Sequence, residues 1–540
     1  MSAVIGITFG NTSSSIAVAS SEGKVDVIAN PDGDRSIPSA LSYIGADEYH
    51  GTQAQHQLVR NAKNTIINFR DFIGKNFEDV DASADYQVGA PAINVDGKVG
   101  YEIVRNGNPE KLTVDEVTKR HLKQLKVAAE DFIGKDIESV VMTVPTDFSA
   151  HQREELARIS GEAGLKVLQM INEPSAALLA HLSEDDKLLD DKIYVVADFG
   201  GIRSDAAVIS VRGGVLTVLA TAHEHGLGGE QLDNALAEHF AKEFEKKTKV
   251  NPRTNARSLS KLKAESIVVK KTLSNVQTST CSIESLAEGF DFHTSINRLR
   301  YELAARTVLS NLTGFVEKVV IKAGLETLDI DEVLLVGGSS STPKLASNIS
   351  FIFPESTNIV APSLDSKALD PSELVARGAA LQASLIETFD DEEIKESLQP
   401  IVVNTQHLAK PIGIKDAEGN FQSILVAETA YPIKKSIQVT NGESSSVAIQ
   451  LFEGVRTIKE TVIEAEVDED DSDVDSDEEP EIRKEVVYKA GDLLAELSLK
   501  DLKPNSKLEV IVNITQDGTL HVSGRELKQG SVAVKGEVTF

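Results

Sequence analysis

Residues 1–388 alternate short continuous apolar runs with stretches whose apolar positions recur every three or four residues, as buried strands and amphipathic helices do. In LTVDEVTKRHLKQLKVAAEDFIGK, Thr113 and Glu116 form a capping box, Val114, Val117, Leu125, Ala128 and Phe132 fall on one face, and Gly134 ends the helix. SVVMTVP reads as a buried strand. SAHQREELARISGEAG is a second capped helix, with Ser149 and Gln152 at its start and Gly164 at its end. LKVLQMINEPSAALLAHL continues as strand, turn and helix, with Pro174 near the helix start. Strands alternating with helices predict an α/β architecture.

Beyond residue 388 the rhythm shortens. FDDEEIKESLQP is an acidic, polar connector, and residues 389–403 read as an interdomain linker. From 404 to 540 short alternating segments predict a β-sandwich. KLEVIVNITQDGTLHVSG pairs two strands across Gln516-Asp517-Gly518. Residues 464–481, EAEVDEDDSDVDSDEEPE, carry too much like charge to pack and are expected to form a solvated loop. Ser472 and Ser476 lie among these carboxylates, either as targets of an acid-directed kinase or within a plain solubilising segment.

With 540 residues, 41% of them hydrophobic, the chain must divide among several cores. A net charge of -29 repels nucleic acid, so contact with RNA is expected through a partner, not directly. A single cysteine, Cys281, excludes an internal disulfide, suits a reducing compartment and reads as a core thiol. The N-terminus reads directly as a strand with no leader pattern, and no segment has the roughly 20 apolar residues of a membrane helix. A cytoplasmic chain is expected.

Two glycine turns set the candidate chemistry. VIGITFGNTSSSIAVAS and IYVVADFGGIRSDAAVISV share one plan: strand, glycine turn with small polar residues, strand. They predict two related lobes facing across a cleft. A third turn, in VLLVGGSSSTPKL, leads into a helix start, where backbone N–H groups attract anions. No P-loop motif is present. His223-Glu224-His225 is too close-set for a zinc site and is expected to be a turn.

The segments GITFGNTSSSIAV, VPTDFS, INEPSAALLAH, ADFGG, LGGEQLDN, LVGGSSSTPK, ARGAALQA and IQLFEG resemble the seventy-kilodalton heat-shock chaperone family, in order and over nearly the whole chain. The resemblance implies a two-lobed actin-like ATPase domain, a linker and a peptide-gripping β-sandwich. It implies ATP contacts from Gly10, Asn11, Thr12, Glu173, Asp198, Gly200, Gly201, Arg203, Asp205, Gly228, Gly229, Lys270, Lys271, Ser274, Gly337, Gly338 and Ser339. It also implies magnesium near Asp198, held through water.

Departures from the family pattern sharpen the expectation. Thr8 stands where the family has an acidic residue near the metal, and Arg70 where it has its catalytic lysine. Ile202 and Arg203 replace a glycine and a threonine of the second turn, and Ile267 and Ser341 replace adenosine-side residues. A guanidinium is a planar fork that stays protonated and cannot stand in for lysine. Arg203 is therefore expected to pair with a phosphate, and the site to hold ATP with little or no hydrolysis; the alternative is that Arg203 pairs with a surface carboxylate and the site is empty. The connector LQPIVVN lacks the family's coupling pattern, and the chain ends on a strand where the family has a helical lid. These features resemble an atypical branch of the family. Its members pair stably with a zuotin-like J-domain protein at the ribosome and help a second heat-shock chaperone act on nascent polypeptides. An ATP-hydrolysing chaperone that cycles on clients is the alternative; a sugar kinase of the same superfamily is disfavoured by the β-domain.

Overall fold

The computed structural model describes residues 4–20, 24–80, 89–184, 190–387, 389–390, 392–394, 406–463, 481–528 and 530–539. The acidic run with Ser472 and Ser476, and most of the proposed linker including all of LQPIVVN, lie outside the described residues.

The first sheet contains β1 (Val4–Phe9), β2 (Ser13–Ala19), β3 (Val25–Ile28), β4 (Ser139–Val144) and β5 (Lys166–Asn172), in the order β5-β4-β1-β2-β3. β1 and β2 are antiparallel, and β1 runs parallel to β4. The second contains β6 (Lys192–Phe199), β7 (Arg203–Arg212), β8 (Val215–His225), β9 (Glu332–Val336) and β10 (Asn358–Val360), in the order β8-β7-β6-β9-β10. Taken from the opposite edge, the second order repeats the first strand for strand, and β6 again runs parallel to β9. The two hairpins noted in the sequence are thus the same corner of a duplicated sheet.

Helices cover these sheets where the apolar stripe dictates. The helix Val114–Ile133 has its capping box at Thr113 and Glu116 and ends at Gly134 in the left-handed conformation. Its buried face includes Val114, Val117, Leu125 and Ala128, as expected, but Phe132 is 56% exposed. Burial stops after Ala129, so the last turn runs clear of its packing partner and strands Phe132 in solvent. Small residues allow the closest approaches. A Cβ on Gly378 would lie 1.8 Å from the Ala176 carbonyl oxygen, and one on Gly6 would lie 2.3 Å from the Ala380 nitrogen. These contacts join the helices Glu173–Glu184 and Leu374–Ile386 to each other and to β1.

Cys281 is buried on the strand Thr278–Ala287, as expected of a core thiol. No helix among the described residues is long and apolar enough to cross a membrane.

The C-terminal region forms two four-stranded sheets. One is ordered β12-β11-β14-β15, from β11 (Ile412–Lys415), β12 (Phe421–Leu425), β14 (Val447–Ile463) and β15 (Glu481–Leu499). The other is ordered β13-β16-β17-β18, from β13 (Ile433–Thr440), β16 (Lys507–Ile514), β17 (Thr519–Glu526) and β18 (Val534–Thr539). Period-two alternation in β16 buries Leu508, Val510, Val512 and Ile514 completely, against a core that includes Ile412, Leu451 and Leu497. Gly518, with φ of 82°, closes the expected hairpin between β16 and β17. By backbone contacts the chain divides into two compact units. One comprises Met1–Leu189, Tyr194–Ile209 and Ala220–Val403; the other comprises Asp190–Ile193, Ser210–Leu219 and Asn404–Phe540.

Candidate functional site

Four glycine turns of the first unit converge. In the β1–β2 turn the Gly10 amide donates to the Ser13 carbonyl. A Cβ on Gly201, in the β6–β7 turn, would lie 2.4 Å from Thr12 Cγ2, so the corresponding turns of the two sheets abut. The Gly200 carbonyl accepts from the Gly229 amide at 2.9 Å, and the Gly201 carbonyl from the Glu230 amide at 2.7 Å. This seats the second turn on the start of the helix Gly229–Thr248. The third turn closes the arrangement: Ser339 Oγ donates to the Gly200 carbonyl at 3.0 Å. Gly337 has a φ of 82°, and a Cβ there would lie 2.4 Å from Asp198 Oδ1.

Lys270 reaches the same junction, donating to the Gly229 carbonyl at 3.1 Å and to Asp233 at 2.9 Å. Ser274 lies one turn further along the helix Ala256–Asn275 and donates to the Lys270 carbonyl. Lys271 is exposed on that helix, and Ile267 is half-buried on it. Ser341 ends the short helical turn Gly338–Ser341, and Ile202 is buried. Thr8, on β1, sits opposite Thr143 of β4.

A charge network, buried at Arg70, Asp71, Glu173 and Arg203 and open to solvent at Asp147 and His225, adjoins the first two turns. Arg203 begins β7. Its Nε donates to Asp205 Oδ2 at 2.7 Å, while Nη2 pairs with the other Asp205 oxygen. Nη1 reaches Asp71 Oδ2 at 3.1 Å, and Nη2 reaches Asp147 Oδ1 at 3.0 Å. Arg70 lies in the helical turn Arg70–Phe72. It donates through Nε to Asp71 Oδ1 at 2.9 Å, and through Nη1 to Glu173 Oε1 at 2.9 Å and to the Phe9 carbonyl. The guanidinium also lies over the Phe148 ring. His223 Nδ1 is 2.7 Å from Asp205 Oδ1, and His225 approaches both Asp71 and Asp147 within 3.8 Å.

The fork of Arg203, expected to face a phosphate, is closed on carboxylates. His223 and His225 are not in a turn but end the strand β8, where residues two apart share a face, so both rings reach the carboxylate cluster. Asp71, Asp147, His223 and His225 were absent from the site as read from sequence. The signal for them was modest: Asp71 is the neighbour of Arg70, Asp147 lies within VPTDFS, and His-Glu-His has the two-residue spacing of a strand face.

The carboxyl groups divide into two kinds. Burial would raise Asp71, but Arg70 and Arg203 beside it override that and hold it well below the ordinary carboxylate range. Asp205 is lowered as well: burial opposes the charge, and the His223 hydrogen bond and Arg203 outweigh it. Asp147 is held low against burial by His225 and Arg203. Glu173 moves the other way. Burial lifts it to about 7, with Arg70 only partly offsetting the rise. Burial also lifts Asp198 to about 8, with Glu173 and Asp205 adding to the effect.

The turns suit a nucleotide. Asn11 Nδ2 at the first turn and Glu230 Oε2 at the helix start are buried without a hydrogen-bond partner, and each would gain one from a polar ligand. The cluster of Asp147, Asp205 and His223 does not suit a divalent metal. Asp147, Asp205 and His223 place ligand atoms within 4.8 Å of one another, but Arg203 already bonds both carboxylates.

The family model described as Hsp70 protein matches residues 4–464. The chain is 54% identical to the ribosome-associated complex subunit SSZ1 of Saccharomyces cerevisiae, over 99% of this chain and 100% of that protein. It is 45% identical to a heat shock protein 70 homolog of Schizosaccharomyces pombe, over 99% and 95% of the two chains. It is 29% identical to heat shock 70 kDa protein 14 of Danio rerio, over 98% and 97%.

Proposed function

Because this chain belongs to the Hsp70 family, with two actin-like ATPase lobes and a β-rich C-terminal region, we propose that it is a chaperone cofactor of a ribosome-associated complex. One observation carries the proposal: 54% identity along the full length of a relative named as a subunit of such a complex. On this reading it forms a stable heterodimer with a zuotin-like J-domain protein and reaches the ribosome through that partner. There it helps a second cytosolic heat-shock chaperone act on nascent polypeptides. The residues 1–388 serve as the nucleotide-binding domain, 389–403 as linker and 404–540 as the β-sandwich domain.

The same reading assigns ATP to the glycine turns, held with little or no hydrolysis. Gly10–Thr12, Gly200–Gly201, Gly228–Gly229 and Gly337–Ser339 would hold its phosphates. Lys270, Lys271 and Ser274 would line the nucleoside side. Bound ATP would supply fixed negative charge and buried contacts between the lobes. Arg70 and Arg203 disfavour an attacking water: neither can act as a deprotonatable amine, and both are fixed by carboxylates.

Purification of the full chain from its own cytosol tests the proposal. The expected result is one stoichiometric J-domain chain and cosedimentation with ribosomes that is lost when that chain is removed. A chain that purifies alone and stays off ribosomes overturns the proposal.

A further inference from the structure

We infer that Arg203 is the built-in counter-cation of this site, standing where nucleotide sites made of clustered carboxylates hold a divalent metal ion. A cation in such a cluster neutralises the carboxylates, bridges parts of the fold and leaves positive charge for phosphate. Arg203 already bridges the parts of the fold and offsets part of the carboxylate charge. Its planar fork takes both Asp205 oxygens, and its remaining N–H groups reach Asp71 and Asp147. Asp205 belongs to β7 of the second sheet. Asp147 follows β4, and Asp71 lies in a turn whose Phe72 packs in the core of the first sheet. One side chain therefore bridges three carboxylates and offsets one of their three charges.

Among the described residues, the three-residue set that could ligate a metal is Asp147, Asp205 and His223. Two of its members are among the partners of Arg203, and His223 is itself bonded to Asp205. An ion placed among them would sit against a guanidinium that cannot lose its proton. Thr8, on β1, contributes no charge to offset that repulsion. Nucleoside triphosphate binding at this site is accordingly independent of divalent metal. That nucleotide half rests on the function proposed above; the metal half does not.

Titration of the full chain with Mn2+, followed by the paramagnetic signal of the free ion, tests the metal half. Wild-type protein is expected to take up no ion whose binding Asp205→Asn abolishes, whereas Arg203→Ala is expected to take up one. Wild-type uptake that Asp205→Asn abolishes overturns the inference, whatever the nucleotide does. Calorimetric titration with ATP, in EDTA and in excess Mg2+, tests the nucleotide half. Wild-type affinities are expected to agree within about threefold, and Arg203→Ala to bind at least about tenfold more weakly in EDTA. A wild-type affinity that falls about tenfold or more in EDTA overturns the inference while leaving the nucleotide reading intact. Absence of ATP binding in both buffers overturns the nucleotide reading, and the Mn2+ titration then decides the inference. Both wild-type measurements stand even if Arg203→Ala fails to fold.

Discussion

Arg203 Nη1 lies 3.1 Å from Asp71 Oδ2, joining the first strand residue after the second glycine turn to a helical turn packed on the core of the first sheet. Both groups are buried, and Asp71 is shared with Arg70. Removing one partner leaves the other buried and short of one of its ion pairs, which costs up to about 3–5 kcal/mol, the figure for a charge left wholly unpaired. Asp71→Asn and Arg203→Gln are each expected to lower stability by up to that amount in denaturant titrations. The double variant should lose less than the sum, with a coupling of about 0.5–3 kcal/mol. Strictly additive losses would show that the two groups do not act as a pair.

Hydrolysis should be slow. Phosphoryl transfer relies on positioned charge, and removing one stabilising group typically costs about a hundredfold or more. Single-turnover measurements with labelled ATP are expected to give a rate at least about a hundredfold below that of a family member carrying lysine and threonine at positions 70 and 203. An equal rate, with contaminating ATPases removed, would contradict the reading of these substitutions.

Stability should fall on the alkaline side. Glu173 at about 7 and Asp198 at about 8 hold their protons more tightly folded than unfolded, where carboxyls titrate near about 4. Their contribution is complete below about pH 4 and is lost as pH rises through 7 and 8. Asp71, Asp147 and Asp205 are lowered, so theirs is present above about pH 4 and is lost only in acid. Thermal melts in metal-free buffer are expected to peak near about pH 4, to decline between about pH 4 and 8, and to level off above that. Glu173→Gln should flatten that decline; an unchanged profile would remove Glu173 from the account.

Two glycines should respond oppositely to alanine. At Gly378 the added methyl would lie 1.8 Å from the Ala176 carbonyl oxygen, forcing two helices apart. Overpacking of this kind costs about 1–3 kcal/mol or more. Gly314, inside the helix Arg306–Lys322, meets nothing within 4 Å, and alanine there should add about 0.5–1 kcal/mol. Melting temperatures of the two variants give the answer directly.

The acidic segment should be dispensable for folding. Its flanking strands pair to their ends, with Ile463 opposite Glu481. Replacing residues 464–480 with a short Gly-Ser linker is expected to leave the melting temperature unchanged, because loop length changes closure entropy only slowly. Association with partners should lose salt dependence instead. A drop of many degrees would mark the segment as structural.

Local signals in the sequence determined much of this protein. Capping boxes at Thr113 and Ser149, the strand alternation of β16 and the Gln516–Gly518 hairpin all depend on neighbours within a few residues, and the chain alone carries them. The repeated glycine turns likewise announced the duplicated sheet, because each turn is written in its own hairpin. What tertiary structure decided was where long side chains end. Phe132 had the correct periodicity but no surface to cover. His-Glu-His looked like a turn until β8 ran to His225 and aimed two rings at carboxylates. Arg203 was legible as a substitution but not as a bond. Its partners Asp71 and Asp147 lie 132 and 56 residues away, so only closure of the two sheets could turn its fork from a candidate phosphate ligand into the centre of a buried ion network.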